Sequence, residues 1–135
     1  MADHATKPLL AHEDDFEWSY LTDTPGPSDI RWRTFTGGPD SDTQKITFGT
    51  CELPPGGRLR PHYHAEVEAY YVTAGSGEVL VDRDIARVQP GSILYIPGSL
   101  VHGVRNHGTE TLSLLWIFPV DRWDTVTYHG AERDF

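Results

Sequence analysis

From Ile30 onward, apolar residues alternate with polar ones in short runs, and nothing recurs at the three-to-four-residue interval of a helix. The runs Ile30–Thr36, Lys45–Leu53, Glu68–Thr73, Glu78–Val81, Ala86–Gln89, Ile93–Ile96, Val101–Arg105 and Thr111–Phe118 are rich in β-branched and aromatic side chains. Each reads as a strand. Between them stand turn clusters: Gly37-Gly38-Pro39-Asp40, Pro54-Pro55-Gly56-Gly57, Gly75-Ser76-Gly77, Asp82-Arg83-Asp84, Pro90-Gly91 and Asn106-His107-Gly108. These clusters favour backbone reversals, because glycine reaches left-handed conformations and Asn or Asp bonds its own backbone. Evenly spaced short strands predict an all-β fold, an antiparallel sandwich or barrel. Residues 1–28 are polar and acidic around Glu13-Asp14-Asp15 and close on Pro25-Gly26-Pro27, so an N-terminal arm or edge strand is expected there, with one domain over 29–135.

The length of 135 residues with 38% hydrophobic content suits a single core. Eleven Lys and Arg against 20 Asp and Glu give a formal charge of −9, which repels a phosphate backbone; nucleic acid is excluded as a partner. No apolar run approaches the ~20 residues of a membrane span, and the first residues lack a signal-peptide core, so a soluble cytoplasmic protein with no membrane partner is expected. Cys51 is the single cysteine. It has no disulfide or CxxC partner and reads as a small core residue, which leaves nitrogen and oxygen as the donors for any metal.

The chemistry concentrates in Gly56-Gly57-Arg58-Leu59-Arg60-Pro61-His62-Tyr63-His64-Ala65-Glu66-Val67-Glu68. His62, His64 and Glu68 share the parity of one strand face, so two imidazoles and a carboxylate are expected to converge. His102 follows 34 residues after Glu68, where a neighbouring strand brings a third imidazole to the same point. Three imidazoles and a carboxylate are borderline donors that suit one divalent transition metal: Fe, Mn, Ni, Co or Zn. A His-x-His pair alone is a weak signal.

The wider arrangement is specific. Gly56, five residues, His62-x-His64, three residues, Glu68, six residues, Gly75, then Gly91, five residues, Pro97, His102 and Asn106 resembles the two conserved motifs of the cupin superfamily. The one departure is Ser99, which stands where the second motif usually has glycine, with Gly98 one place earlier. The resemblance implies a cupin double-stranded β-helix, a jelly-roll barrel with the metal inside, assembled as a homodimer. The flanking phrases Glu52-Leu53-Pro54-Pro55-Gly56-Gly57, Glu68-Ala69-Tyr70-Tyr71-Val72-Thr73 and Trp116-Ile117-Phe118-Pro119-Val120-Asp121-Arg122 look like the small single-domain cupin lyases that act on dimethylsulfoniopropionate. That closer resemblance implies a β-elimination on a small carboxylate substrate, with Tyr70 as the base that removes the α-proton. Tyr128 also falls where the pattern places a tyrosine and is the second catalytic candidate.

Parity agrees with that role, since Glu68 and Tyr70 share a strand face and Tyr71 faces the other way. Tyr128, Trp116, Trp32 and Tyr95 are candidates to face π-density toward a sulfonium cation. Tyr63 is expected to point away from the metal, Arg58 and Arg60 to be solvated, Asn106 to serve a turn, and Glu66 to stand as a reserve ligand. His4, His12, His107 and His129 fall in the arm, a turn and the tail. Two other classes stay open: an iron-dependent cupin dioxygenase, which would consume oxygen, and a non-catalytic small-molecule-binding cupin, which would show no turnover. A sugar-phosphate isomerase finds no phosphate-cradling glycine loop.

Overall fold

A computed structural model describes residues 8–20 and 30–135. Its strands are β1 Ser19–Tyr20, β2 Arg31–Thr36, β3 Thr47–Leu53, β4 Arg58–Tyr63, β5 Glu68–Ala74, β6 Gly77–Val81, β7 Asp84–Val88, β8 Ile93–Ile96, β9 His102–Arg105, β10 Leu112–Phe118 and β11 His129–Gly130. Two antiparallel sheets result, one ordered β1-β2-β3-β10-β5-β8 and the other β11-β4-β9-β6-β7. This is the jelly-roll barrel expected; the eight runs read as strands end within two residues of the observed ones, whereas β4 and β11 stand outside those runs. Among the described residues, two single-turn 3-10 helices, Glu13–Asp15 and Trp123–Thr125, are further additions. The proposed Pro25-Gly26-Pro27 boundary lies outside the described residues.

Strict alternation explains why β10 sits at the centre of its sheet. Leu112, Leu114, Trp116 and Phe118 point into the barrel and are buried, while the residues between them are only half covered. These four join Leu53, Tyr70, Val72, Ile96, Val79 and Val104 in one apolar core between the sheets. On the outside, Phe16 of the N-terminal segment packs on Phe35 of β2 at 5.1 Å between ring centroids, and Trp18 lies against the guanidinium groups of Arg31 and Arg33. Asn106 does what a buried turn residue must. Its amide donates to the carbonyls of Leu53 and Glu110 at 2.9 and 2.8 Å and its oxygen accepts from the Gly108 N–H at 2.8 Å, tying the β9–β10 turn to the end of β3.

The chain breaks the single strand that a shared parity of His62, His64 and Glu68 assumes. His62, His64 and Glu68 do not lie on one strand: His62 is on β4 in the second sheet, Glu68 opens β5 in the first, and the chain turns a corner between them. The second glycine motif braces that corner. Ser99 N–H donates to the His64 carbonyl at 2.7 Å, and Gly98 lies so close to the Ala65 carbonyl that a Cβ there would stand 2.3 Å from its oxygen. Ser99 itself has φ +65°, the left-handed conformation that glycine adopts freely and serine only at a cost. Ser99→Gly is therefore expected to stabilise the fold by about 0.5–1 kcal/mol. Urea unfolding checks this as a higher midpoint at unchanged slope.

Candidate metal centre

Pro61 interrupts β4, and a bulge there sets the direction of His62. Leu59 pairs with Val104 and His62 with His102, so three steps along β4 match two along β9. Proline has no N–H for a ladder and is tolerated at such irregularities. Without the extra residue, Leu59 and His62 would face opposite sides of the sheet; with it, both line the barrel interior. His102 starts β9 directly beside His62, their ring centroids 4.3 Å apart. His64 follows at the end of β4, 4.8 Å from His102 between centroids, and Glu68 approaches from the opposite sheet.

The ligand atoms of His62, His64 and His102 all lie within 4.8 Å of one another. Glu68 Oε1 lies 3.2 Å from both His64 Nε2 and His102 Nε2. The backbone fixes which ring nitrogen faces the centre. His62 Nδ1 lies 2.7 Å from the Arg60 carbonyl oxygen, His64 Nδ1 2.9 Å from that of Glu66, and His102 Nδ1 2.9 Å from that of Leu100. A carbonyl oxygen only accepts, so each Nδ1 carries the hydrogen and each neutral ring turns an Nε2 lone pair inward. Imidazole lone pairs facing a carboxylate oxygen are acceptor against acceptor, and a positive charge must lie between them. Either a ring takes a proton or a cation takes the place.

Electrostatics agree with this demand. Burial, reinforced by His102, pushes His62 down to about 4, so it stays neutral and ready to donate a lone pair. Burial also opposes charge on His64, but the hydrogen bond and charge of Glu68 outweigh it and hold this imidazole above its ordinary value. Glu68 is likewise buried, yet His102 and His64 hold its carboxyl below the usual range. The donor set therefore fits a divalent transition metal on chemical grounds. Neither carboxylate belongs to the group of three imidazoles, but Glu68 Oε1 touches two of the rings, whereas Glu66, the reserve ligand, gives its backbone carbonyl to His64 and keeps a buried Oε1 with no hydrogen-bond partner among the described residues.

The centre opens on a cavity of about 530 Å³ between the sheets. Tyr70 is buried in its wall, and Tyr71 points outward. Burial first and the Glu68 carboxylate second hold the Tyr70 phenol well above its ordinary value. Tyr128, half exposed, stands 5.7 and 5.4 Å from the His62 and His64 rings. Trp32 and Trp116 line the cavity, whereas Tyr95 is 65% exposed on the outside of β8 and is removed from the sulfonium candidates. Trp123 takes its place. It meets Trp32 edge to face at 6.4 Å and lines the same wall, held by the short 3-10 turn that the periodicity did not reveal. Arg60 lines the cavity rather than solvent alone, and Cys51 sits in its wall with burial pushing the thiol up to about 12. Tyr63 points outward and stacks on His129 at 4.9 Å.

Known proteins match this picture at two levels. The family model described as Cupin domain matches residues 49–118. Dimethylsulfoniopropionate lyase DddW of Ruegeria pomeroyi is 34% identical over 77% of this chain and 68% of its own length. A glucose-6-phosphate isomerase of Thermococcus gammatolerans is 31% identical over 56% of this chain, which spans about half (48%) of that enzyme. Among solved structures, the polyketide cyclase RemF of Streptomyces resistomycificus superposes with a TM-score of 0.77 at 22% identity, covering 95% of this chain and 88% of that one, a likeness of fold. With that family's sequence pattern running through half its length, and with its barrel around the pattern's residues, this chain belongs to the cupin family.

Proposed function

We propose that this cupin is a metal-dependent carbon–sulfur lyase that converts dimethylsulfoniopropionate to dimethyl sulfide and acrylate. The observation that carries the reading is the buried Tyr70, which shares the inward face of β5 with Glu68 and so presents a phenol to the cavity beside the ligand cluster. His62, His64, Glu68 and His102 would hold one divalent ion. When bound, that ion supplies Lewis acidity and positive charge, which acidify both the carbon next to a substrate carboxylate and the Tyr70 phenol.

Tyr70, as phenolate, takes the α-proton. The electron pair of that carbon–hydrogen bond becomes the new carbon–carbon double bond, and the carbon–sulfur pair leaves on sulfur as neutral dimethyl sulfide. Acrylate and one proton, on Tyr70, complete the balance, with no redox change. Trp32, Trp116, Trp123 and Tyr128 offer aromatic faces to the sulfonium, at about 0.5–2 kcal/mol for each well-placed contact. The apolar wall keeps water from competing for the developing negative charge.

Support comes from the 34% identity with a dimethylsulfoniopropionate lyase and from the phenol beside the cluster. Headspace gas chromatography tests the reading: protein loaded separately with Fe, Mn, Ni, Co or Zn and given dimethylsulfoniopropionate without oxygen is expected to release dimethyl sulfide. Silence with every metal would discard it. Turnover that appears only when oxygen is admitted, with matching oxygen uptake, would replace it by the dioxygenase alternative.

A further inference from the structure

The cavity is much longer than a small zwitterion needs. Its wall includes Phe118, at the level of the ligand cluster, and Leu53, which pairs with Leu112 six residues back along β10. Six residues of extended strand span about 20 Å, whereas extended dimethylsulfoniopropionate covers about the rise of two residues, ~7 Å. Volume gives the same answer. At roughly 20 Å³ per heavy atom, somewhat below the ~30 Å³ share of a liquid water, the molecule fills about a third of the 530 Å³.

The surplus space is predominantly apolar. Past Trp116 the wall is made by Trp32, Cys51 and Leu114 at one level and by Ile30, Leu53, Leu59 and Val104, with the charged Arg60 beside them on β4. Apart from Arg60 none of these carries a charge, and the Cys51 thiol is kept neutral by its burial. Such a lining offers water few partners and hydrocarbon many. Polarity is therefore sorted along the barrel: imidazoles and carboxylate at one end, indole faces in the middle, aliphatic side chains at the far end. A ligand matched to that order has a carboxylate, then a cation, then alkyl chains.

We propose, building on the lyase reading, that the site takes 3-(dialkylsulfonio)propionates with S-alkyl groups larger than methyl, seats those groups at the aliphatic end, and eliminates the corresponding dialkyl sulfides. The balance is unchanged: the α-proton goes to Tyr70, the carbon–sulfur pair leaves on sulfur, and acrylate is the common product.

A substrate series with dimethyl, methylpropyl and dipropyl sulfonium groups tests this on the metal-loaded chain, with acrylate release as the common readout. Each methylene buried at the far end is worth about fourfold, so kcat/KM is expected to rise about tenfold or more from dimethyl to dipropyl. The 3-(alkylthio)propionates, which lack a good leaving group, supply a readout independent of turnover. Quenching of tryptophan fluorescence should show the hexylthio compound binding at least about tenfold more tightly than the methylthio compound. Leu59→Phe should lower the dipropyl-to-dimethyl ratio about tenfold by filling the aliphatic end; if that variant does not fold, the series on the unaltered chain decides alone. A flat or falling series with dimethylsulfoniopropionate turned over would overturn the inference and leave the lyase reading intact. Tighter binding of longer thioethers with no turnover of any sulfonium would overturn the elimination and uphold an apolar-tailed carboxylate as the ligand. Neither turnover nor binding would sink both.

Discussion

His64→Ala is expected to empty the metal centre, with metal content falling from about one ion per chain to near zero and turnover falling by at least about a thousandfold. Three features of His64 make its loss worse than the removal of one donor in four. It is almost wholly buried, so no water from bulk replaces the imidazole cheaply. Its Nδ1 bond to the Glu66 carbonyl fixes the corner that carries the chain from β4 to β5, and with it the approach of Glu68. Its Nε2 lies 3.2 Å from Glu68 Oε1, as does that of His102, so among the described residues the variant leaves a buried carboxylate with one imidazole partner, worth about 1–3 kcal/mol of stability in the metal-free protein. Elemental analysis of untagged protein measures the metal, and His129→Ala is the control. His129 stacks on Tyr63 at the surface, outside the cluster, and its removal should leave stoichiometry unchanged. Full metal content in His64→Ala would refute the ligand set.

The residues that meet at the centre are legible in the sequence, though not through the single-strand geometry that their parity suggests. His62, His64 and Glu68 were grouped by a parity that assumed one continuous strand, while the chain instead bends after Tyr63 and enters the other sheet at Glu68. The spacing survives because a jelly roll closes on itself: a short corner delivers the next strand face to face with the last. Parity did hold within β5, where Tyr70 faces in and Tyr71 out, since no irregularity intervenes between Glu68 and Tyr71. Tyr95 is named as a candidate for its ring alone, with no parity behind it. That residue lies on the edge strand β8, opposite Ala69 on the outward row, so its side chain misses the cavity. Trp123 was beyond such reasoning altogether, because a three-residue 3-10 turn has no periodicity to read and its indole reaches the wall through the packing against Trp32. Arg60 is expected in solvent because the sequence reading places it on the loop entering the strand, whereas β4 already begins at Arg58 and alternation then sets Arg60 in line with His62.

Tyr70→Phe is expected to lower turnover by about a hundred- to ten-thousandfold, the contribution of a positioned general base, while the metal stays bound. The substitution removes one oxygen from a buried ring. The phenyl group keeps the Tyr70 place in β5 between Trp116 and Leu94, its partners on either side, so the barrel and the ligand cluster should persist. The lost hydroxyl is the group that burial and Glu68 hold protonated in the absence of a cation, and its ionisation is what the elimination requires. Tyr128→Phe gives the necessary contrast. Tyr128 is half exposed over the His62 and His64 rings, and its aromatic face survives the change, so a modest rise in KM with kcat altered only severalfold is expected. The pair of variants is measured by acrylate release, metal stoichiometry and binding of a 3-(alkylthio)propionate. Loss of turnover in Tyr70→Phe with metal and analogue binding intact assigns the proton to Tyr70. The reverse pattern, with Tyr128→Phe inactive and Tyr70→Phe near the parent rate, would move the base to the mouth of the cavity and leave Tyr70 as packing beside the centre.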